Sequence, residues 1–188
     1  MKLSKIGALC KSAKRFVILK LRYGQWISDG MALYPLRDLP HLDEESIYTI
    51  FDIPEDKRSK MSYEERESIP HGLSLLDATA DEVAVQLSPV SIVYHGAVYT
   101  PIKSREGILF LDRRYLAPFD EDISLFERFY PGSNIPYIAV KRGLLLEGLI
   151  LPSQIASRAL ADTLKHIGEL MALMYDDEDE AEQEEMDI

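Results

Sequence analysis

The side chains that could bind a metal ion are dispersed along the sequence. Consecutive histidines, at positions 41, 71, 95 and 166, lie 24 to 71 residues apart. Zinc and non-haem iron sites usually take ligands at short, recognisable spacing, and here only Glu169 follows a histidine closely, three residues after His166. A His/Glu pair at that spacing is typical of an exposed contact on a helix. The sequence therefore predicts no metal site.

Carboxylates that could act as general acids or bases occur in adjacent groups at 44–45, 55–56 and 120–122. Such chemistry requires carboxylates that converge in space, whereas neighbours in polar loops normally stay solvated and separate. No serine has glycines at both positions of a Gly-x-Ser-x-Gly elbow, and the sequence has no Walker phosphate loop. We therefore expect a protein that is not an enzyme and uses no cofactor.

Basic side chains form the clearest chemical pattern in the chain. Seven of them, and no acidic residue, lie between Met1 and Ser28: Lys2, Lys5, Lys11, Lys14, Arg15, Lys20 and Arg22. Cations that contact phosphates release condensed counterions, which favours binding to nucleic acid. We predict Lys11, Lys14 and Arg15 as nucleic-acid contacts, because the helical pattern places them opposite an apolar stripe. The alternative is that they only keep the outer side of an amphipathic helix in water.

The net charge of the 188-residue chain is −11, from 21 basic and 32 acidic residues. Residues 176–188 contain nine carboxylates and no base, so residues 1–175 carry only −2. The acidity of the whole chain therefore excludes no polyanionic partner. The tail has too little apolar content to fold, and we expect disorder over 176–188. It is either a solubilising or partner-binding extension, or a segment that folds back on the basic face.

The compartment is inferred from segments that the sequence lacks. No apolar run approaches the roughly 18 residues of a membrane span, and the basic start is not followed by the apolar run and cleavage site of a secretory signal. The single cysteine, Cys10, cannot form an internal disulfide and falls on the apolar side of a predicted helix. We expect a cytoplasmic protein without membrane contact.

Helical and strand periodicities alternate in the first third of the chain. One helical stripe contains Leu3, Ile6, Cys10, Ala13 and Val17. Residues 15–22 read as a strand, with Val17, Leu19 and Leu21 on one face and Phe16 and Ile18 on the other. Asp29-Gly30 is either a hairpin turn or a bulge. Residues 46–53 read as a further strand, and 55–72 as a charged surface excursion with a possible capping box at Ser62 and Glu65.

The second half of the chain is rich in short strands and ends in a helix. Strands are predicted over 83–87, 90–94, 97–102, 107–111, 137–140 and 144–151. Their short connections favour antiparallel pairing. An apolar pattern at intervals of three and four residues predicts a helix over 154–175, with Ser153 as its N-cap. The fold class is therefore α+β, a single domain over 1–175 with a mostly antiparallel sheet, an N-terminal helix and a longer C-terminal helix.

The order of helix, strand and turn that leads into Trp26-Ile27-Ser28-Asp29-Gly30-Met31-Ala32-Leu33 resembles part of a repeat of the bacterial sliding clamps, the processivity subunits of DNA polymerase. The resemblance covers about 30 of 188 residues, and Ser28 stands where that family usually has threonine. It implies outer antiparallel sheets with inner helices whose basic residues face DNA. Those residues would be Lys11, Lys14 and Arg15, with Arg158 and Lys165 on the second helix. In its general character the sequence also resembles small proteins of phages and mobile elements, and this resemblance implies no activity.

Two function hypotheses follow from these patterns. The first is a non-enzymatic binding protein, clamp-like or otherwise DNA-associated, that contacts DNA or a DNA-handling partner. The second is an assembly or regulatory module that binds only protein and forms a homo-oligomer through its C-terminal helix. In that case the stripe of Leu160, Leu164, Ile167, Met171 and Met174 contributes to the interface.

Overall fold

The fold is known from a computed structural model, which describes residues 1–70, 72–105, 107–153, 155 and 157–186, with side chains of the last helix as far as Ala172. The chain divides into two compact units, Met1–Ser153 and Gln154–Ile188. The first unit combines helices with a large sheet, and the second contains the C-terminal helix. The predicted α+β class, with helices near both ends of the chain, is confirmed.

The secondary structure consists of four α-helices, one 3₁₀ helix and eleven strands within the described residues. The α-helices are α1 Leu3–Ala13, α2 Glu44–Ile50, α3 Glu55–Arg58 and α4 Arg158–Met186, and the 3₁₀ helix is Arg113–Leu116. The strands are β1 Arg15–Leu21, β2 Gly24–Ser28, β3 Ala32–Pro35, β4 Ser62–Arg66, β5 Val83–Val85, β6 Ile92–Tyr94, β7 Ala97–Ser104, β8 Gly107–Asp112, β9 Ser124–Phe129, β10 Pro136–Arg142 and β11 Leu145–Ile150. No described helix is both long enough and apolar enough to cross a bilayer.

The strands form two sheets. Eight strands follow the order β4-β1-β2-β3-β11-β10-β9-β5, and three follow β6-β7-β8. All neighbours pair antiparallel except β1 and β4, which are parallel. Isolated bridges join Leu87 to Ile102 and Phe110 to Ser153. These bridges connect the segments that follow β5 and β11 to the three-stranded sheet, so the two sheets are joined at two points.

The eight-stranded sheet is buried on both faces because its strands alternate between two cores. On β1, Phe16 and Ile18 pack in the core that contains α1 and α2. Val17 and Leu19 lie in the second core, against the opposite face. This division is the one that the alternation in 15–22 predicts. The second face is covered by residues 72–82, which we call the strap.

The expectation of a strand over 46–53 is wrong, because this segment forms α2. The side chain of Asp43 accepts a hydrogen bond from the Ser46 N–H at 2.9 Å, which caps the helix. Two glutamates in the first turn stabilise α2 further, because their negative charges lie at the positive end of the helix dipole. Ile47 and the C-cap residue Phe51, four residues apart, are both buried on one side of α2. A short apolar run fits both periodicities, and here the cap decides for the helix.

The capping box proposed at Ser62 and Glu65 is also wrong, because these residues belong to β4. This strand lies beside β1, with Ser62 opposite Arg15 and Glu65 opposite Ile18. Glu65 forms an ion pair with Lys20 of β1, at 2.7 Å. Residues 62–66 of the predicted surface excursion thus form a polar strand at the edge of the sheet. Its charged side chains protect the sheet from pairing with another strand.

Strand β9 was not expected from the sequence. It contains Glu127 and Arg128, which are 0% and 1% exposed. Charged residues are almost never fully buried without partners. A Glu-Arg pair in this segment therefore does not suggest a buried strand when the sequence is considered alone. Glu127 accepts hydrogen bonds from Ser104 and Arg105, and Arg128 binds the strap, so both charges are compensated by distant residues.

The C-terminal helix starts later than predicted, at Arg158. Its cap is Ser157, whose Oγ accepts from the Leu160 N–H at 3.1 Å. Ser153, the predicted cap, instead donates its N–H to the Phe110 carbonyl at 2.8 Å. The helix is assigned as far as Met186 and so includes 176–186 of the acidic tail. The behaviour of this tail in solution stays a prediction.

Candidate nucleic-acid interface

The exposed side of α1 carries a strip of small residues with one lysine on each flank. Ser4, Ala8 and Ser12 are exposed along the middle of this side. At about 100° per residue, Lys5 and Lys11 lie about 120° apart around the helix, one at each edge of the strip. Both are exposed. A ligand lying along the strip would therefore meet a cation on each side.

The packing of α1 fixes this side outward. Ile6, Leu9 and Cys10 are buried in the first core, and burial raises the pKa of the Cys10 thiol. Gly7 lies directly on the ring of Phe51, where a methyl group would overlap the ring. The helix therefore sits close to α2, and it cannot rotate its lysines inward without losing these contacts.

Lys14 is held at the junction between α1 and β1. Its backbone adopts the left-handed conformation, with φ of 53°, and caps the helix. Its carbonyl accepts a hydrogen bond from the Ser62 N–H at 2.9 Å. The side chain is exposed, three residues after Lys11. The sequence predicted both lysines as contacts, and the structure brings them to the same end of α1.

Arg15 is the first residue of β1 and Val17 is also on this strand, so the strand pattern over 15–22 is correct for both residues and their inclusion in the helical pattern is wrong. The Arg15 Nη2 atom lies 3.2 Å from Glu64 Oε2. Glu64 also accepts from Arg66 Nε at 2.7 Å. These hydrogen bonds, with that from Arg66 the stronger, hold the pKa of Glu64 below its ordinary value. The charge of Arg15 is thus partly compensated within the protein.

The two predicted contacts of the second unit, Arg158 and Lys165, are exposed on α4. They alternate along one side of the helix with Asp162 and Glu169, at steps of four, three and four residues. The Lys165 Nζ atom lies 3.7 Å from Glu169 Oε1. This side of α4 therefore carries mixed charge, whereas α1 contains no carboxylate at all.

Buried ionic groups in the first unit fix the strap to the sheet. Arg128 donates to the carbonyls of Ser74 and Leu76 at 3.2 and 3.0 Å and forms an ion pair with Glu82. Lys141 forms an ion pair with the same carboxylate. Both buried cations of this cluster are thus bound to groups of the protein itself, which indicates a structural role. Its only signal in the sequence is the presence of Arg128 and Lys141 in apolar surroundings.

The Ser28-Asp29-Gly30 segment is a hairpin turn, which decides between the two alternatives that the sequence left open. Asp29 accepts hydrogen bonds from the N–H groups of Met31 and Ala32 at 2.9 and 3.0 Å. Ser28 Oγ accepts from the Gly30 N–H at 2.9 Å. These side chains satisfy the backbone of the turn between β2 and β3.

The described residues contain no group of three or more side chains of the types that ligate metals. His166 Nδ1 lies 4.0 Å from Glu169 Oε2, and both side chains are largely exposed. This separation is too long for a hydrogen bond. The pair has the geometry of a solvated surface contact.

Comparison with protein-family models, with curated proteins and with solved structures finds no match for this chain. The resemblance to the sliding clamps therefore stays a prediction. It depends on the residues of the β2–β3 hairpin and on the basic side of α1.

Proposed function

We propose that this is a non-enzymatic binding protein that contacts DNA, alone or within a DNA-handling complex, through the exposed side of α1. The observation that carries the proposal is a difference between neighbouring cations. Arg15 and Lys20 each form an ion pair with β4. Within the described part of the chain, Lys5, Lys11 and Lys14 have no carboxylate within ion-pair distance. These three charges are free to bind an external polyanion.

The start of α1 supports the same ligand. Acidic residues normally stabilise the first turn of a helix, and α2 and α3 both have two there. The first turn of α1 has none, its N-cap is Lys2, and no side chain caps it. Positive charge at the positive end of a helix dipole is unfavourable for the isolated protein. A phosphate backbone placed along this side would relieve that repulsion.

The proposal is tested by fluorescence anisotropy with a labelled DNA duplex at low salt. The variant Lys11→Glu with Lys14→Glu should abolish measurable binding, because it replaces two attractive charges by two repulsive ones. The matched control, Lys103→Glu with Arg113→Glu, changes the net charge equally on β7 and on the 3₁₀ helix that follows β8, and it should bind nearly as the parent does. Undetectable binding by the parent, or equal binding by the two variants, would refute the proposal.

The resemblance to the sliding clamps implies a more specific role, in which the chain is one module of a clamp-like, DNA-encircling assembly. A cytoplasmic location is part of the same proposal. Retention on a closed circular duplex at salt concentrations that release linear duplex would support encirclement. Equal release from the two duplexes would leave simple side-on contact as the mode of binding.

A second candidate function, a protein-only assembly module, is favoured by the exposure of apolar residues on α4. Leu164, Ile167 and Met171 are 42%, 47% and 50% exposed. With Leu160 they recur at steps of four, three and four residues, which is the spacing of a coiled-coil seam. Met174, which the sequence analysis added to this stripe, lies beyond the described side chains. We propose the second copy of the chain as the partner for this seam.

Light scattering on the full chain distinguishes the two candidates. The assembly hypothesis predicts an oligomer that Leu164→Glu with Ile167→Glu converts to a monomer, while the matched change Thr163→Glu with His166→Glu leaves it assembled. A parent protein that is monomeric at high micromolar concentration would exclude this candidate. DNA binding by such a monomer would leave the first candidate intact.

A further inference from the structure

A small cavity lies on the face of the eight-stranded sheet that faces away from α1 and α2. Its volume is about 200 Å³. Val17, Leu19, Leu33 and Leu149 form part of its lining, and all four are buried apolar side chains of the sheet. We call this cavity the sheet pocket. A ligand that enters it would be in contact with aliphatic groups from three neighbouring parts of the sheet.

Two arginines, Arg15 and Arg66, also line the sheet pocket. Their side chains are 43% and 38% exposed, so they stand at its solvent side. Glu64 pairs with both, at 3.2 and 2.7 Å. Two positive charges and one negative charge leave a net charge of +1 at this edge of the pocket. The site is therefore apolar inside and has one uncompensated positive charge outside.

The β2–β3 turn leaves room for one of these groups. A Cβ atom built on Gly30 would lie 3.3 Å from Nη1 of Arg15, so the guanidinium rests against the glycine backbone. Gly30 has φ of 103°, a conformation that other residues rarely adopt. The turn that Asp29 and Ser28 stabilise thus places a glycine where the guanidinium approaches the pocket.

The opposite wall of the sheet pocket is formed from Pro70, Leu73 and Tyr130. Leu73 is part of the strap, which Arg128 holds by hydrogen bonds to strap carbonyls. The ring of Tyr130 packs edge-on against the buried Tyr137, with ring centroids 5.3 Å apart. Contacts within the protein thus hold the strap next to Leu73 and the ring of Tyr130, and such preorganisation lowers the entropic cost of binding.

We propose that the sheet pocket binds a small aliphatic monocarboxylate, with its chain over the buried leucines and its carboxylate at Arg15 and Arg66. A volume of about 200 Å³ suits a short aliphatic chain rather than a large ligand. A guanidinium binds a carboxylate in a planar, bidentate geometry. One carboxylate balances the net charge of +1, whereas a phosphate monoester would exceed it.

The test uses the full chain and sodium octanoate, with 1-octanol as a probe of equal length and no charge. Methyl-resolved NMR titration should show saturable shifts of Leu33 and Leu149, and octanol should bind at least tenfold more weakly. Arg66→Gln should weaken octanoate binding about tenfold, since a half-exposed charged hydrogen bond contributes modestly. The matched control Arg22→Gln should bind octanoate as the parent does.

Three results would overturn the proposal: no saturable shifts at millimolar octanoate, equal binding of octanol, or shifts confined to residues outside the sheet pocket. If Arg66→Gln does not fold, the comparison of octanoate with octanol on the parent protein still decides. The proposal is independent of DNA binding. Lys11→Glu with Lys14→Glu should leave the octanoate affinity unchanged, so either conclusion can fail without the other.

Discussion

Neutralising two lysines of α1 should change how steeply DNA binding depends on salt. For duplex DNA, the logarithm of the binding constant falls with the logarithm of salt concentration at about −0.9 per phosphate contacted. If Lys5, Lys11 and Lys14 each contact one phosphate, the slope is about −2.7. Between about 50 and 200 mM salt this corresponds to a loss of affinity of about 40-fold.

The variant Lys11→Gln with Lys14→Gln leaves one contact and a slope of about −0.9. Its affinity should then fall only about 3.5-fold over the same salt range. Glutamine and lysine have similar helix propensities, so α1 itself should be preserved. The effect is thus a change in charge rather than in fold.

The assay is anisotropy of a labelled duplex at five or more salt concentrations, with Lys103→Gln and Arg113→Gln as the matched control. The control should retain the parent slope, and circular dichroism should show the same helix content for all three proteins. An equal slope for the parent and the α1 variant would refute the assignment of these lysines as phosphate contacts. A change of slope in the control instead would place the contacts near the three-stranded sheet.

Three further predictions concern the fold that supports this surface. Arg128→Met should destabilise the protein by about 3–5 kcal/mol, because the strap carbonyls of Ser74 and Leu76 lose their donor and the partly buried Glu82 keeps only Lys141; urea unfolding that changes by less than about 1 kcal/mol would contradict the role of this cluster. Gly30→Ala should cost about 1–2 kcal/mol in the same assay, since its φ of 103° disfavours a Cβ atom, and an unchanged midpoint would contradict this. Burial raises the pKa of the Cys10 thiol, so the folded protein holds the proton more tightly than the unfolded chain, and stability should fall as pH rises above the ordinary thiol pKa of about 8.5. Cys10 should accordingly resist a thiol reagent at pH 8 until urea is added, and immediate labelling would show that it is accessible.

The sequence was most informative where the pattern within a single segment is enough to determine its structure. The alternation of Phe16 and Ile18 with Val17 and Leu19 predicts both cores that β1 contacts. It missed β9, because the partners of the buried Glu127 and Arg128 lie far away in the sequence. It was also wrong at 46–53, for a local reason. The run that forms α2 fits a strand equally well, and the cap from Asp43 is a single hydrogen bond.

The candidate contacts show the same division. The exposure of Lys11 could be predicted because it follows from the helical pattern of α1 alone, and Lys14 is exposed at the cap that follows. The pairing of Arg15 with Glu64 could not, since it depends on the parallel association of β1 with β4, 49 residues away. The sheet pocket requires the strap, the turn at Gly30 and the sheet together. No local pattern in the sequence indicates such a combination.

Protection of individual lysines by DNA tests the central claim most directly. The full chain, with and without excess duplex at low salt, is treated briefly with an acetylating reagent, and each lysine is quantified by mass spectrometry. We predict that DNA protects Lys5, Lys11 and Lys14 and leaves Lys57 and Lys103 as reactive as in the free protein. Equal reactivity of the α1 lysines with and without bound DNA would contradict the account.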